Sequence, residues 1–186
     1  MREIMDDFHR LLEAQIPRLR RYSRALTRDT IRADDLVQET LTRALHKQHL
    51  WAPGTDLRAW LFTMMHNQNV NNVRRTMRDG FALDIDQCEP KLMAITDPTG
   101  ARQLQELERA IGQLSEEQRQ VLLLVGLEGL SYEDTAAILQ IPVGTVRSRL
   151  SRGREFLRKI MGLEERASNV VGRPRPPATA RPAMAA

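Results

Sequence analysis

The chain is predicted to be all-α, built as two small helical domains. Apolar residues recur at helical spacing along most of its 186 residues, and no segment alternates with the two-residue period of a strand. Caps and stops stand at the ends of these apolar stretches. Aromatic residues make up 4% of a chain that is 41% hydrophobic, which favours aliphatic helix packing over a β-sandwich.

Phe8, Leu11, Leu12, Leu19, Tyr22 and Leu26 trace apolar spacing through two helical pieces, broken or bent at Pro17. Asp29 or Thr30 caps a second helix with the stripe Leu36, Val37, Thr40, Leu41, Ala44 and Leu45. Pro53-Gly54 is a loop signal, and Thr55 or Asp56 caps a long third helix. Its buried stripe is Leu57, Trp60, Leu61, Met64, Met65 and Gln68. Trp60 reads as core from this periodicity, while Phe62 is open between core and base stacking. From Asp79 to Pro98 periodicity fades, and Asp79, Asp84, Asp86, Glu89 and Asp97 face one base, Lys91, as in a linker. Leu104, Leu107, Ile111 and Leu114 resume the helical pattern. Ser115 to Gln118 form a capping box for a helix with Val121, Leu122 and Val125, and Gly129 supplies a left-handed stop. After Gly162 the chain is rich in Pro, Ala and Arg, too poor in apolar residues to fold, and is expected to be disordered. The expected division is a domain at 1–79, a flexible acidic linker at 80–101, a second domain at 102–162 and a tail at 163–186.

The stretch Leu130 to Leu157 reads as two short helices around a tight turn. Ser131 caps the first with Asp134 at capping-box spacing, and Tyr132, Ala136 and Leu139 half-bury it. Pro142 is expected to end that helix and to make the turn with Gly144. In the second helix Val146, Leu150, Leu157 and Ile160 form the inner stripe, with Gly153 allowing close approach. The other faces carry Thr145, Arg147, Ser148, Arg149, Ser151, Arg152 and Arg154. Arginines clustered at the start of a helix that follows a turn point to DNA rather than to a merely solvated face. Which of them clamp phosphates and which read bases stays open.

The third helix has a second polar face. Asn67, Asn71, Arg74 and Arg78 sit at i, i+4, i+7 and i+11, beside Arg75. Asn is a mediocre helix former, yet Asn67, Asn69, Asn71 and Asn72 crowd here. Amides can hydrogen-bond base edges, including unpaired ones, while guanidiniums take phosphates. The net charge of +4 is mild, so its location matters more than its size. A single cysteine, Cys88, permits no internal disulfide and suggests a reducing compartment. With no apolar run long enough to span a bilayer and no signal-peptide pattern, a cytoplasmic protein is expected. His46 and His49 lack the further ligands of a metal site, and no nucleophile or phosphate-loop motif is present. No metal, no cofactor and no catalytic residue is expected; the chain reads as a binding protein.

Four motifs then occur in order: Ala33 to Thr40 (ADDLVQET), Leu57 to Phe62 (LRAWLF), Leu114 to Gln118 (LSEEQ) and Pro142 to Leu150 (PVGTVRSRL). With them the chain resembles the extracytoplasmic-function (ECF) sigma factors of bacterial RNA polymerase, over about Phe8 to Met161. The resemblance implies a sigma-2-like bundle and a sigma-4-like helix-turn-helix domain. It implies docking of Asp34, Asp35, Gln38, Glu39 and Thr42 on the β′ clamp helices of core RNA polymerase, with a further contact to the β flap. Asn67, Asn71, Arg74, Arg75 and Arg78 would meet the −10 element, Asn67 matching a position that contacts a flipped base, with the loop Leu50 to Asp56 helping to form the pocket. Thr145, Arg147, Ser148, Arg149, Ser151, Arg152 and Arg154 would lie at the −35 element, where many relatives carry a bulkier residue than Ser151. The acidic linker would thread the polymerase cleft, and an anti-sigma factor would hold the protein inactive.

Three rivals remain. A stand-alone helix-turn-helix regulator leaves the faces at 34–39 and 67–78 without a task. An enzyme lacks a site. A sigma-like decoy that captures an anti-sigma factor needs no DNA-reading residues and is usually joined to a receiver domain, for which no βα alternation exists here.

Overall fold

The structure is a computed structural model that describes residues 2–78 and 98–162. Three helices form the first half: α1 (Arg2–Thr27), α2 (Thr30–His46) and α3 (Leu57–Arg78), with a short 3-10 turn at Gln48–Leu50. The second half holds α4 (Pro98–Gly112), α5 (Glu116–Leu122), α6 (Tyr132–Leu139) and α7 (Val143–Ile160). Among the described residues there is no strand, as the all-α expectation requires. The acidic residues 79–97, including Cys88, and the tail at 163–186 lie outside the described residues.

Helix α1 runs unbroken through Pro17, against the expected two pieces. Proline removes one rung of the ladder, but Phe8 and Leu12 on one side and Leu19, Tyr22 and Leu26 on the other are all buried in one core. That shared burial keeps the helix continuous across the proline. Arg28 then takes a left-handed φ of 58°, reversing the chain into α2. Of the two candidate caps, Asp29 is used: its Oδ1 accepts from the backbone N–H of Ile31 at 2.8 Å and of Arg32 at 3.1 Å. Likewise Asp56 rather than Thr55 caps α3, accepting from Arg58 at 2.8 Å and Ala59 at 3.3 Å.

Phe62, open in the sequence, is core at 1% exposure, with its ring edge-on to Tyr22 at 5.0 Å. Trp60 is only half-buried, its ring 6.4 Å from that of Phe8. Leu45 leaves the expected α2 stripe and is 41% exposed, because it stands about 100° round the helix from buried Ala44. Helix α4 begins at Pro98, inside the span expected as linker, since proline is tolerated in a first turn.

In the second half Ser115 caps α5 as expected, accepting from Gln118 N–H. The helix then widens into a π-turn at Leu123–Leu127, closed by Glu128 N–H donating to Leu123 O at 3.0 Å. Gly129 follows at a φ of 66°, the expected left-handed stop. Ser131 accepts from Asp134 N–H at 2.9 Å and donates its hydroxyl to the Asp134 carboxylate at 2.6 Å.

The turn of the helix-turn-helix differs from its reading. Helix α6 stops at Leu139 because Gln140 adopts a left-handed φ of 54°, its N–H returning to Ala136 O and Ala137 O. Pro142 instead stands at the start of α7, and Gly144 lies within that helix. Val146, Leu150 and Gly153 are buried, but Leu157 is half-buried and Ile160 42% exposed. The stripe leaves the core once α7 has passed Leu114, Gln118 and Leu122. A Cβ at Gly153 would meet these at 3.7–3.9 Å, ordinary contact distance, so this approach does not demand glycine. Buried residues of both halves, from Phe8 to Leu150, join in one hydrophobic cluster.

Candidate nucleic-acid interface

Helix α7 is fixed by its buried stripe and by two side-chain braces. Arg149 Nη2 lies 2.7 Å from Glu117 Oε2 on α5, so this arginine faces its own domain. The guanidinium carbon of Arg147 stands 6.0 Å from the ring centroid of Tyr132, within cation–π range. Ser148 Oγ donates to Thr145 O at 3.0 Å, and Thr145 itself is half-buried. The exposed set is therefore Arg147, Ser148, Ser151, Arg152 and Arg154. Their spacing of one, three and four residues puts them on one broad face. A face of guanidiniums and hydroxyls offers donors to phosphates and to guanine edges.

On α3, Asn71, Arg74, Arg75 and Arg78 are exposed, and Asn67 is half-buried one turn earlier. The first four line an open groove of about 700 Å³ together with Gln68, Asn72 and Arg43; Asn67 is not in its wall. Arg43, on α2, has no marker in the sequence. Packing of α2 on α3 brings it beside cations 31 to 35 residues away. The groove's amide rim is held by Glu39, whose Oε2 accepts from Gln68 Nε2 and Asn72 Nδ2, both at 2.9 Å. Glu39, expected on the polymerase face, thus also ties α2 to α3. Asp34, Asp35, Gln38 and Thr42 are exposed along α2. Ile31 at 75% and Leu45 at 41% exposure lengthen this face at both ends with apolar surface.

The opposite side of α3 packs against the second half. Asn69 is buried and donates to Glu116 Oε1 at 3.3 Å, so the fourth asparagine of the cluster serves a contact between halves. Around it, Arg28 donates to Gly112 O at 3.2 Å and Arg119 to Leu26 O at 3.1 Å. The Glu128 side chain is fully buried and receives Arg21 Nη2 at 2.7 Å. Arg58 Nη1 donates to the Glu128 carbonyl at 3.1 Å. Burial, then the nearby Glu128 and Glu116 charges, push the Tyr22 hydroxyl well above its ordinary pKa. None of this junction was read from the sequence; an acid set between Leu127, Gly129 and Leu130 was its only local sign.

His66, half-buried on α3, is lowered below its usual pKa by burial, which outweighs the opposing pull of Glu116. The folded state therefore binds that proton less readily than the unfolded chain does. The His66 contribution is fully present above about pH 6.5 and is lost as pH falls toward the depressed folded value. Thermal unfolding from pH 7.5 to 5.5 should show a smaller decline for His66→Gln than for the wild type; parallel declines would exclude this role.

Among the described residues no cluster of three or more His, Cys, Asp or Glu could hold a metal, and no helix is long and apolar enough to cross a membrane. The chain matches the family descriptions "Sigma2 domain of PhyR" over residues 12–66 and "Sigma-70, region 4" over residues 104–157. It is 40% identical to the ECF RNA polymerase sigma factor EcfG of Rhodopseudomonas palustris, over 80% of this chain and 81% of that one. The chain belongs to the ECF sigma factors. The ECF sigma factor SigC of Mycobacterium tuberculosis is 34% identical, over 67% of this chain and 68% of that one. Among solved structures, the sigma factor RpoE in complex with the anti-sigma factor NepR from Bartonella quintana superposes with a TM-score of 0.73 at 35% identity, covering 84% of this chain and 97% of that one. Within this ECF sigma factor, the two family matches fall on α1–α3 and on α4–α7, with the groove residues 68–78 beyond the first match.

Proposed function

We propose that this sigma factor binds core RNA polymerase and directs it to promoters through two separate DNA contacts. The half at 1–79 takes the −10 element in the groove of Arg43, Asn71, Arg74, Arg75 and Arg78, with Asn67 above it. The half at 102–162 takes the −35 element on Arg147, Ser148, Ser151, Arg152 and Arg154, with Arg149 and Thr145 holding α7 in place. The observation that carries this reading is the presence of two cationic faces of different chemistry on one chain. Amides with guanidiniums suit unpaired bases, and hydroxyls with guanidiniums suit a duplex. The α2 face of Asp34, Asp35, Gln38 and Thr42, extended by Ile31 and Leu45, suits a protein partner with basic and apolar surface, as the β′ clamp would be. The protein works in the cytoplasm without a cofactor, performs no bond chemistry itself, and is held inactive by an anti-sigma factor, as the NepR complex of its relative supports.

Run-off transcription with core polymerase on a random promoter library tests this. Arg152→Ala should weaken −35 dependence, by about 1–3 kcal/mol of base discrimination if it reads a base. Asn67→Ala should impair opening more than closed-complex binding, since capture of an extruded base repays a few kcal/mol only once the duplex opens. Equal losses in both steps would remove the role given to Asn67. Tight duplex binding with no promoter-dependent transcript would favour a stand-alone regulator.

A further inference from the structure

We propose that Glu39 is a positioning residue for base selection, fixing the amide polarity of the Gln68–Asn72 pair in the −10 groove. Through Asn72 it makes one position of the opened strand discriminate amino-bearing from keto-bearing bases. This rests on the reading that the groove takes the −10 element. Gln68 and Asn72 stand one turn apart on α3 and both line the groove, whereas Glu39 is not in its wall and reaches them from α2. Gln68 Nε2 donates to Asn72 Oδ1 at 3.3 Å. Two amides can pair in either polarity, because each carries both a donor and an acceptor. A carboxylate only accepts, and Glu39 Oε2 takes Gln68 Nε2 and Asn72 Nδ2, both at 2.9 Å. Only one polarity of the pair turns both NH2 groups toward it.

One atom shows what that polarity costs. Gln68 Oε1 is buried and has no hydrogen bond. In the reverse polarity it would accept from Asn72 Nδ2, so the pair left to itself gains by turning over. The two charge-assisted bonds to Glu39 hold it as it stands. Asn72 then keeps one N–H and one Oδ1 lone pair, in a fixed order, for a base in the groove. An adenine or cytosine edge sets an amino donor beside a ring acceptor, while a guanine or thymine edge sets a carbonyl acceptor beside an N–H donor. Phosphate contacts to the groove arginines fix the direction of the strand. An amide held in one order therefore pairs with one class of base and meets the other with like groups opposed. Glu39 itself is exposed on α2, and its bonds to the amides use only Oε2. Its Oε1 remains for a polymerase cation, so docking leaves the amides in place.

The test is the base preference read by run-off transcription from a random promoter library, with core polymerase and the full chain at saturating concentration. The wild type should favour one of the two base classes at one −10 position by roughly tenfold. Glu39→Gln keeps the size and reach of the side chain but donates as well as accepts, so it permits both polarities. It should bring that preference close to even and leave the −35 preference unchanged. A role confined to tying α2 to α3 would leave the −10 preference intact, since glutamine can make the same tie. Loss of polymerase affinity from the missing charge acts on all promoters alike and cancels in the preference. Asn72→Ala should flatten the same position, and the double variant should be no flatter than either single one, as for residues acting through one path. A preference retained in Glu39→Gln or in Asn72→Ala would overturn the proposal, as would flattening at different positions in the two. A wild type that shows no amino–keto preference anywhere in the −10 element would also overturn it. Absence of any promoter-dependent transcript from the wild type would instead defeat the two-contact reading, and this role with it.

Discussion

Phe62→Ala should destabilise the protein by roughly 3–5 kcal/mol, the usual cost of emptying a buried aromatic site. The ring is 1% exposed and meets Tyr22 edge-on, with centroids at 5.0 Å and an interplanar angle of 80°. Such a pair adds about 0.5–1.5 kcal/mol beyond area burial. Tyr22 cannot close the gap, because it is itself a core residue of α1 at 1% exposure. At about 2–4 °C per kcal/mol for a chain of this size, the melting temperature should fall by roughly 10 °C. Trp60→Ala, at a half-buried site, should cost roughly half as much. A Phe62→Ala protein with wild-type stability but impaired promoter opening would place Phe62 at the DNA instead, contrary to its position in the core.

Replacing Arg43, Arg74 and Arg78 together by alanine should weaken binding of the single-stranded non-template strand by about 10²-fold at low salt. Each phosphate neutralised on a single strand contributes roughly 0.7 to the slope of log K against log salt, so the slope should fall by about 2. Arg75 is left in place to preserve its contacts within the fold. The loss should be nearly uniform across sequences, since phosphate contacts carry position rather than identity. Arg43→Ala alone should reduce the slope by about 0.7. A slope unchanged by Arg43→Ala would remove α2 from the groove and return the −10 contact to α3 alone.

Helix identity was legible because it depends on neighbours in sequence. The caps at Asp29, Asp56, Ser115 and Ser131 all form, since a cap is a bond across two or three residues. The stop at Gly129 was legible for the same reason, whereas Gln140 in the left-handed region was not, because glutamine carries no mark for that conformation. Proline misled twice, at Pro17 and Pro142. At Pro17 the burial of residues before and after it carries the helix through, and at Pro142 the proline opens the next helix instead of closing the one before.

The faces divide in the same way. Arg147, Ser148, Ser151 and Arg152 fall together on α7 by periodicity alone, as do Asn71, Arg74 and Arg78 on α3. Arg149 was grouped with the first set because composition cannot tell an arginine facing solvent from one held by Glu117. Asn69 and Glu39 were grouped by type and found tied across helices, to Glu116 and to Gln68 and Asn72.

By itself, then, the sequence determined an all-α chain, the order of its helices and the two cationic faces, all of which follow from spacing within one helix. Only the tertiary structure decided that Arg43 joins the groove, that Phe62 is core and that Glu128 is buried between the halves under Arg21 and Arg58. Those facts concern residues 31 to 107 positions apart, and no local periodicity encodes which distant side chain will fill the space beside another.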